Sequence, residues 1–161
     1  MVPEKVIVVL HNVYSPYRVV ETSKIVYSMG FKVLVVSKAL GAAAQIGVPE
    51  AQKIALKKNR CFMYLPDLPD VVELFPSKNV LLFSSKESAI EETTFSELFL
   101  PLLDGERIIL VFSGIDTGFT KRELNIGKPI YIRNFPEISS LGLIAITLHE
   151  LRKFLEKENY G

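Results

Sequence analysis

Two stretches of this chain put chemically useful side chains where an apolar run ends. "FSGIDTGFTKREL" (112–124) passes from a buried-strand pattern into Ser113-Gly114, then Asp116-Thr117-Gly118. Two glycines around an acid permit close backbone approach to a ligand, and an Asp there can accept from a hydroxyl or amine. The same Asp-x-Gly spacing also makes an ordinary turn, and the two readings stand level. "HNVYSPYR" (11–18) follows the first apolar run and offers His11, Asn12 and Arg18. His11 reads first as a hydrogen-bonded structural imidazole and second as a functional one. His149 falls in the middle of a helix and reads as structural or interfacial. "KIALKKNR" (53–60) is the one dense basic patch; it reads first as a solvated helix end and second as a contact for phosphates.

Other chemistries lack their residues. The chain has no GxxxxGK[ST], no GxGxxG after the first strand and no GxSxG. His149-Glu150 is not HExxH, and one Cys with two His does not make a zinc site, so no metal is expected. A metal-dependent nuclease would use a Pro-Asp followed by Asp/Glu-x-Lys on a strand. Pro66-Asp67 and Pro69-Asp70 occur without that second half.

Positioning these residues falls to an alternation of strands and helices. "VIVVL" (6–10), "KVLVVSK" (32–38), "CFMYLP" (61–66), "NVLLFSS" (79–85), "RIILVFSG" (107–114) and "PIYIRN" (129–134) read as six strands, several of them continuous apolar runs of the kind buried on both faces. Helical patterns lie between them. Ser15 and Pro16 open the first and Gly30 closes it; the second covers 47–60; "DLPDVVELF" and "TTFSELFLPLL" are shorter. The last helix, Leu141 to about Glu156, shows no polar face until His149, which predicts burial on all sides. The expected fold is a single α/β domain over 1–161, a mostly parallel six-stranded sheet with helices on both faces. Ligands in such sheets bind at the carboxyl ends of strands.

Composition agrees. The chain is 161 residues long, 48% hydrophobic, with a net charge of +1. That balance gives no general attraction to nucleic acid or membrane, so any basic surface is local. A lone cysteine, Cys61, suits a reducing compartment. Glu4 and Lys5 follow closely on Met1, unlike a secretory leader, and no apolar run is long enough to span a membrane; the expected location is the cytoplasm.

Three segments together resemble the SpoU branch of the SPOUT RNA methyltransferases. "PIYIRNFPEISSLGLIAITLHE" is similar to the family's last motif, with Ile132 on the strand, Ser140-Leu141-Gly142 in place of Ser-Leu-Asn, an apolar helix and Glu150. "LVFSGIDTGF" resembles the middle motif, Gly-x-Glu-x-x-Gly-Leu; it keeps Gly118 but has Ser113 at the first Gly and Ile115 at the Glu, with Asp116 one position late. For the first motif, Asn12 and Arg18 have the family's spacing, whereas anchoring on Gly30 puts Lys24 at the Arg position and Arg18 at the Asn position; both registers stay open.

The resemblance implies a deep trefoil knot at the carboxyl end, a homodimer through the C-terminal helix, and bound S-adenosylmethionine. Ser113, Gly114, Asp116 and Gly118 would hold this cofactor from one side, and Ile132, Ser139, Ser140 and Leu141 from the other. The implied reaction is methyl transfer to rRNA or tRNA, commonly at a ribose 2′-hydroxyl, with Arg18 or Lys24 near the nucleophile and Asn12 orienting the substrate. The departures from the motifs leave as alternatives a non-catalytic module of the same fold that binds S-adenosylmethionine or RNA, and, further off, the metal-dependent nuclease.

Overall fold

The computed structural model describes residues 4–160. Apolar strands lie side by side in one fully parallel sheet. In chain order the elements are β1 (Val6–Val13), α1 (Pro16–Ser28), β2 (Val33–Ala39), α2 (Val48–Lys58), β3 (Cys61–Leu65), α3 (Leu68–Leu74), β4 (Asn79–Phe83), β5 (Glu91–Thr93), α4 (Phe95–Phe99), β6 (Ile108–Ser113), α5 (Lys121–Leu124), β7 (Lys128–Ile132) and α6 (Ser140–Tyr160). A π turn, Ala43–Gly47, precedes α2, and a 3-10 turn, Leu100–Asp104, extends α4. The sheet order is β3-β2-β1-β6-β4-β7-β5.

The sheet therefore has seven strands, not six. The additional one, β5, is only Glu91-Glu92-Thr93, with two exposed glutamates, and it pairs with β7 at the edge. Three residues without an apolar run carry no strand signal, and the neighbouring β7 supplies the pairing. The link from β6 through α5 to β7 passes over β4, which lies between those two strands in the sheet.

Side chains alternate across the pleat. Val8 and Leu10 of β1 face a core shared with α1, α2, α4 and α6, whereas Ile7 and Val9 face a smaller core with α3 and the residues flanking α5. The first helix, α1, begins as its sequence dictates: the Ser15 hydroxyl accepts from the Arg18 N–H at 3.1 Å, and Pro16 needs no donor there.

The last helix is covered differently on its two apolar sides. Ile144, Thr147, Leu148 and Leu151 are fully buried, but Ile146 is 39% exposed and Leu143 half-buried. Helix α6 is buried along one side in a single chain, and its other apolar side is open. Among the described residues no helix is long and apolar enough to cross a membrane.

Candidate functional site at the carboxyl edge of the sheet

Three of the four non-glycine residues with positive φ stand at strand carboxyl ends: Asn12 (φ 63°) in β1, Lys38 (φ 54°) in β2, and Asn134 (φ 58°) just after β7. Left-handed backbone costs about 1–2 kcal/mol per non-glycine residue, and such strain collects at functional sites. The edge carries two polar groups, one on each face of the sheet.

On the α1 face, Arg18 turns inward from the first turn of its helix and donates from Nη1 to the Gly114 carbonyl at 2.6 Å. Its guanidinium lies 3.9 Å from the Asp116 carboxylate, which is 91% exposed, so that pair is worth little on its own. Gly114 is required by packing. A Cβ there would come within 2.6 Å of the Asn12 carbonyl oxygen and of Val13 Cβ. Asn12 is buried, and its Oδ1 has no hydrogen-bond partner. An unpaired buried amide oxygen costs about 1–3 kcal/mol, which a bound donor would recover. The Ser113 hydroxyl donates to the Ile115 carbonyl at 2.9 Å and shapes the turn, while Gly118 takes φ 76° facing open space.

The structure thus gathers Asn12, Arg18, Gly114 and Asp116, while Ser113, in register with His11, belongs to the opposite face of the pleat. Lys24 is not among them. Six residues beyond Arg18 place it about 240° round the helix and about 9 Å along it, and it is exposed, 3.4 Å from Glu21. Arg18, which both registers include, reaches the β6 loop, and Lys24 does not.

The β7 side holds the rest. Ile132 is buried at the strand's end. Tyr131 donates to the Phe135 carbonyl at 3.1 Å, shaping the turn, and the Ser139 hydroxyl accepts from the Gly142 N–H at 3.4 Å. The Ser140 hydroxyl is buried without a partner and Leu141 is half-buried. With β4 between them, β6 and β7 are two strand spacings apart, about 9–10 Å. Among the described residues no side-chain hydrogen bond joins the two groups.

On the opposite face His11 is fully buried. Its Nδ1 lies 2.8 Å from the Ser37 hydroxyl, its Nε2 contacts the Glu123 carboxylate, and its ring stacks on Phe119 with centroids 6.3 Å apart. Glu123 also accepts from the Thr120 N–H at 2.8 Å, closing the capping box of α5. Burial pushes the Glu123 carboxyl up, but the hydrogen bonds from Thr120 and His11, together with the His11 charge, outweigh it and hold the group below its usual value. Asp67, the N-cap of α3, completes the cluster; it accepts from the Leu68 N–H at 2.8 Å and lies 3.2 Å from the Arg122 guanidinium. One ligand atom each from His11, Asp67 and Glu123 lies within 4.8 Å of the others.

Sequence reasoning missed this second group. T-x-x-E at 120–123 and D-x-x-D at 67–70 were visible as helix caps, yet nothing local tells that they meet a histidine 112 residues earlier in the chain.

Solved structures share the fold. The chain superposes with a TM-score of 0.73 on a probable methylase family protein from Haemophilus influenzae Rd KW20, at 15% identity, over 98% of this chain and 67% of that one. It superposes with a TM-score of 0.68 on the A. aeolicus TrmH/SpoU tRNA modifying enzyme, at 18% identity, over 98% and 78%. The chain therefore shares the α/β fold of these structures, a parallel sheet with helices. Sequence relatives carry a different description. The chain is 37% identical over 149 residues to the "Putative type II restriction enzyme MjaORF1200P" of Methanocaldococcus jannaschii, covering 92% of this chain and 97% of the relative. It is 44% identical over 112 residues to the "Putative type II restriction enzyme ApeKORF2002P" of Aeropyrum pernix, covering 70% and 69%. The family described as "RecB-family nuclease (DUF2122)" matches residues 41–150, and the chain belongs to that family.

Proposed function

We propose that this protein is an S-adenosylmethionine-dependent methyltransferase acting on RNA, despite the nuclease description of its family. One observation carries the reading: Arg18 bonded to the Gly114 carbonyl, with the Asn12 amide oxygen buried and unpaired on the adjoining strand, at the strand ends to which the motif resemblance assigns catalysis. The architecture shared with methyltransferases over nearly the whole chain supports it.

The residues present fit the cofactor. Gly118 leaves backbone uncovered, with nothing within 4 Å of where a Cβ would stand, and the Ser140 hydroxyl at the start of α6 is a buried polar atom in want of a partner. Ser113, Gly114, Asp116 and Gly118 would hold it from the β6 side, with Ile132, Ser139, Ser140 and Leu141 from the β7 side. Bound S-adenosylmethionine supplies a methyl group already activated on a sulfonium. The chain's own task is then to align a nucleophile and help it shed a proton. A guanidinium is a donor only, so Arg18 acts by stabilising negative charge on a hydroxyl such as a ribose 2′-OH, not as the base. Asp116, the carboxylate beside it, is the candidate acceptor of the proton. Asn12 offers its amide to orient the substrate.

The wider parts of the reading follow from the same site. The segment from β7 through α6 is the threaded end of a trefoil knot. The open side of α6, with Ile146 and Leu143, meets a second copy of the chain, which light scattering would register as a dimer. The whole chain acts as one domain in the cytoplasm, on rRNA or tRNA.

The second reading, a metal-dependent nuclease, has its own observation in the cluster of His11, Asp67 and Glu123. The donor types suit a divalent cation. The oxygens, however, are already committed to the caps of α3 and α5 and to Arg122, and the companion cation is that arginine rather than a lysine. The fit is poor.

A thermal-shift titration separates the readings. S-adenosylmethionine at a hundredfold over its dissociation constant stabilises by about 2.7 kcal/mol, roughly 5–10 °C in a domain of this size. No shift with it, alongside a shift with Mn²⁺, would overturn the proposal in favour of the nuclease. A shift without transfer of labelled methyl to total RNA would leave a binding module.

A further inference from the structure

The connection from β1 into α1 carries a feature that methyl transfer alone leaves unused. Tyr14 is 56% exposed and Tyr17 67%, flanking the helix start between Asn12 and Arg18. Two more exposed apolar side chains share this corner. Leu40 (37% exposed) donates its N–H to the Val13 carbonyl at 2.9 Å, and Ile46 (58%) precedes Gly47, which packs against Pro16 so closely that a Cβ would sit 3.0 Å from its Cα. The corner is also cationic. Arg18 is at hand, and Lys38, at the end of β2, makes no salt bridge among the described residues.

Exposed aromatics beside unpaired positive charge suit the bases and phosphates of an unpaired strand. Every base has a π face to stack, while in a duplex those faces are hidden. We infer that Tyr14 and Tyr17 form a stacking platform that selects single-stranded or looped RNA and presents it to Arg18. The inference rests on the methyltransferase reading for its substrate and adds the form in which that substrate is taken. Rim positions around the site, rather than the reacting groups, then set specificity.

The test uses the full chain and a labelled single-stranded RNA of about 12 nucleotides, within the usual footprint of such surfaces, compared with the same strand annealed to its complement. Fluorescence anisotropy is expected to show the single strand bound at least about tenfold more tightly. Tyr14→Ala and Tyr17→Ala should each weaken it roughly 5- to 150-fold, the equivalent of about 1–3 kcal/mol per stacked base, whereas Tyr14→Phe and Tyr17→Phe keep the ring and the affinity. Both side chains are exposed, so the alanine variants should fold, which circular dichroism checks. Equal affinity for duplex and single strand, or alanine variants that bind like the parent, would overturn the inference. So would a parent dimer that becomes monomeric in the alanine variants, since the tyrosines would then belong to a contact between copies. The S-adenosylmethionine thermal shift, run on the same samples, keeps the two failures apart. If that shift persists without strand preference, only the platform falls; if it is absent in the parent, the methyltransferase reading falls.

Discussion

The two faces of the sheet's carboxyl edge hold polar groups of opposite character. Around His11 the hydrogen-bonding capacity is used: both ring nitrogens have partners, and the Glu123 and Asp67 carboxylates cap α5 and α3. Around Arg18 it is not. The Asn12 amide oxygen is orphaned, Asp116 is open to solvent, and Gly118 faces open space. Buried polar networks that are complete rigidify a fold, and incomplete ones cost free energy until something binds. The first group is therefore read as the clamp that fixes the β6–β7 connection against β1, and the second as the site the clamp positions.

The largest effect expected is on the clamp. Glu123→Ala leaves His11 buried without its partner, and breaking one side of a buried pair costs about 3–5 kcal/mol. Urea unfolding should show a loss of that size. A variant as stable as the parent but devoid of activity would reverse the assignment and make the cluster the reactive centre. Next comes Arg18→Ala, which should lower methyl transfer by about 10²–10³-fold, the range for removing one charge-stabilising donor, while unfolding shifts by no more than about 1 kcal/mol. Lys24→Ala should leave both unchanged, because its side chain lies round the helix from the site. If Lys24 mattered and Arg18 did not, the Asn12 and Arg18 register would be wrong.

The same contrast explains what could be read in advance. Strands β1, β2, β4 and β6 are written in continuous Val, Ile and Leu, so the fold class was legible. Glu91–Thr93 was not, since its strand character comes from β7 beside it. On the α1 face the residues are close in type to the SpoU motifs, and the structure brings Asn12, Arg18 and Gly114 to one strand end. What could not be read was that Arg18 bonds a backbone carbonyl, which has no residue type to betray it, while Lys24 lies round the helix from it. The clamp was hidden for another reason: its acids double as helix caps, a sufficient local explanation, and their meeting with His11 depends on the order of strands β3, β2, β1 and β6. The apolar helix was half understood. Its composition implied burial on all sides, and one chain covers only one of them.

A smaller effect sharpens the comparison from the site's own backbone. Gly114→Ala places a methyl 2.6 Å from the Asn12 carbonyl oxygen and from Val13 Cβ, atoms that cannot swing aside. Overpacking of this kind costs about 1–3 kcal/mol. The displaced loop should also lose most of the thermal shift with S-adenosylmethionine. An alanine variant that keeps the full shift would mean that the cofactor does not lie against this turn.

The smallest effect is the pH response of the clamp. Glu123 is held below its ordinary value of 4.5 in the folded chain. Just below that value the unfolded chain binds the proton and the folded one does not, so stability falls as the pH falls. The contribution is complete above 4.5 and is lost as pH drops through the lower folded value. Glu123→Gln cannot titrate. Its urea midpoint, lower than the parent's at neutral pH, should therefore decline less steeply on acidification, and the two curves should converge. Parallel curves below 4.5 would mean that the Thr120 and His11 hydrogen bonds do not favour the charged carboxylate, and the clamp would then hold its loop by packing of Phe119 alone.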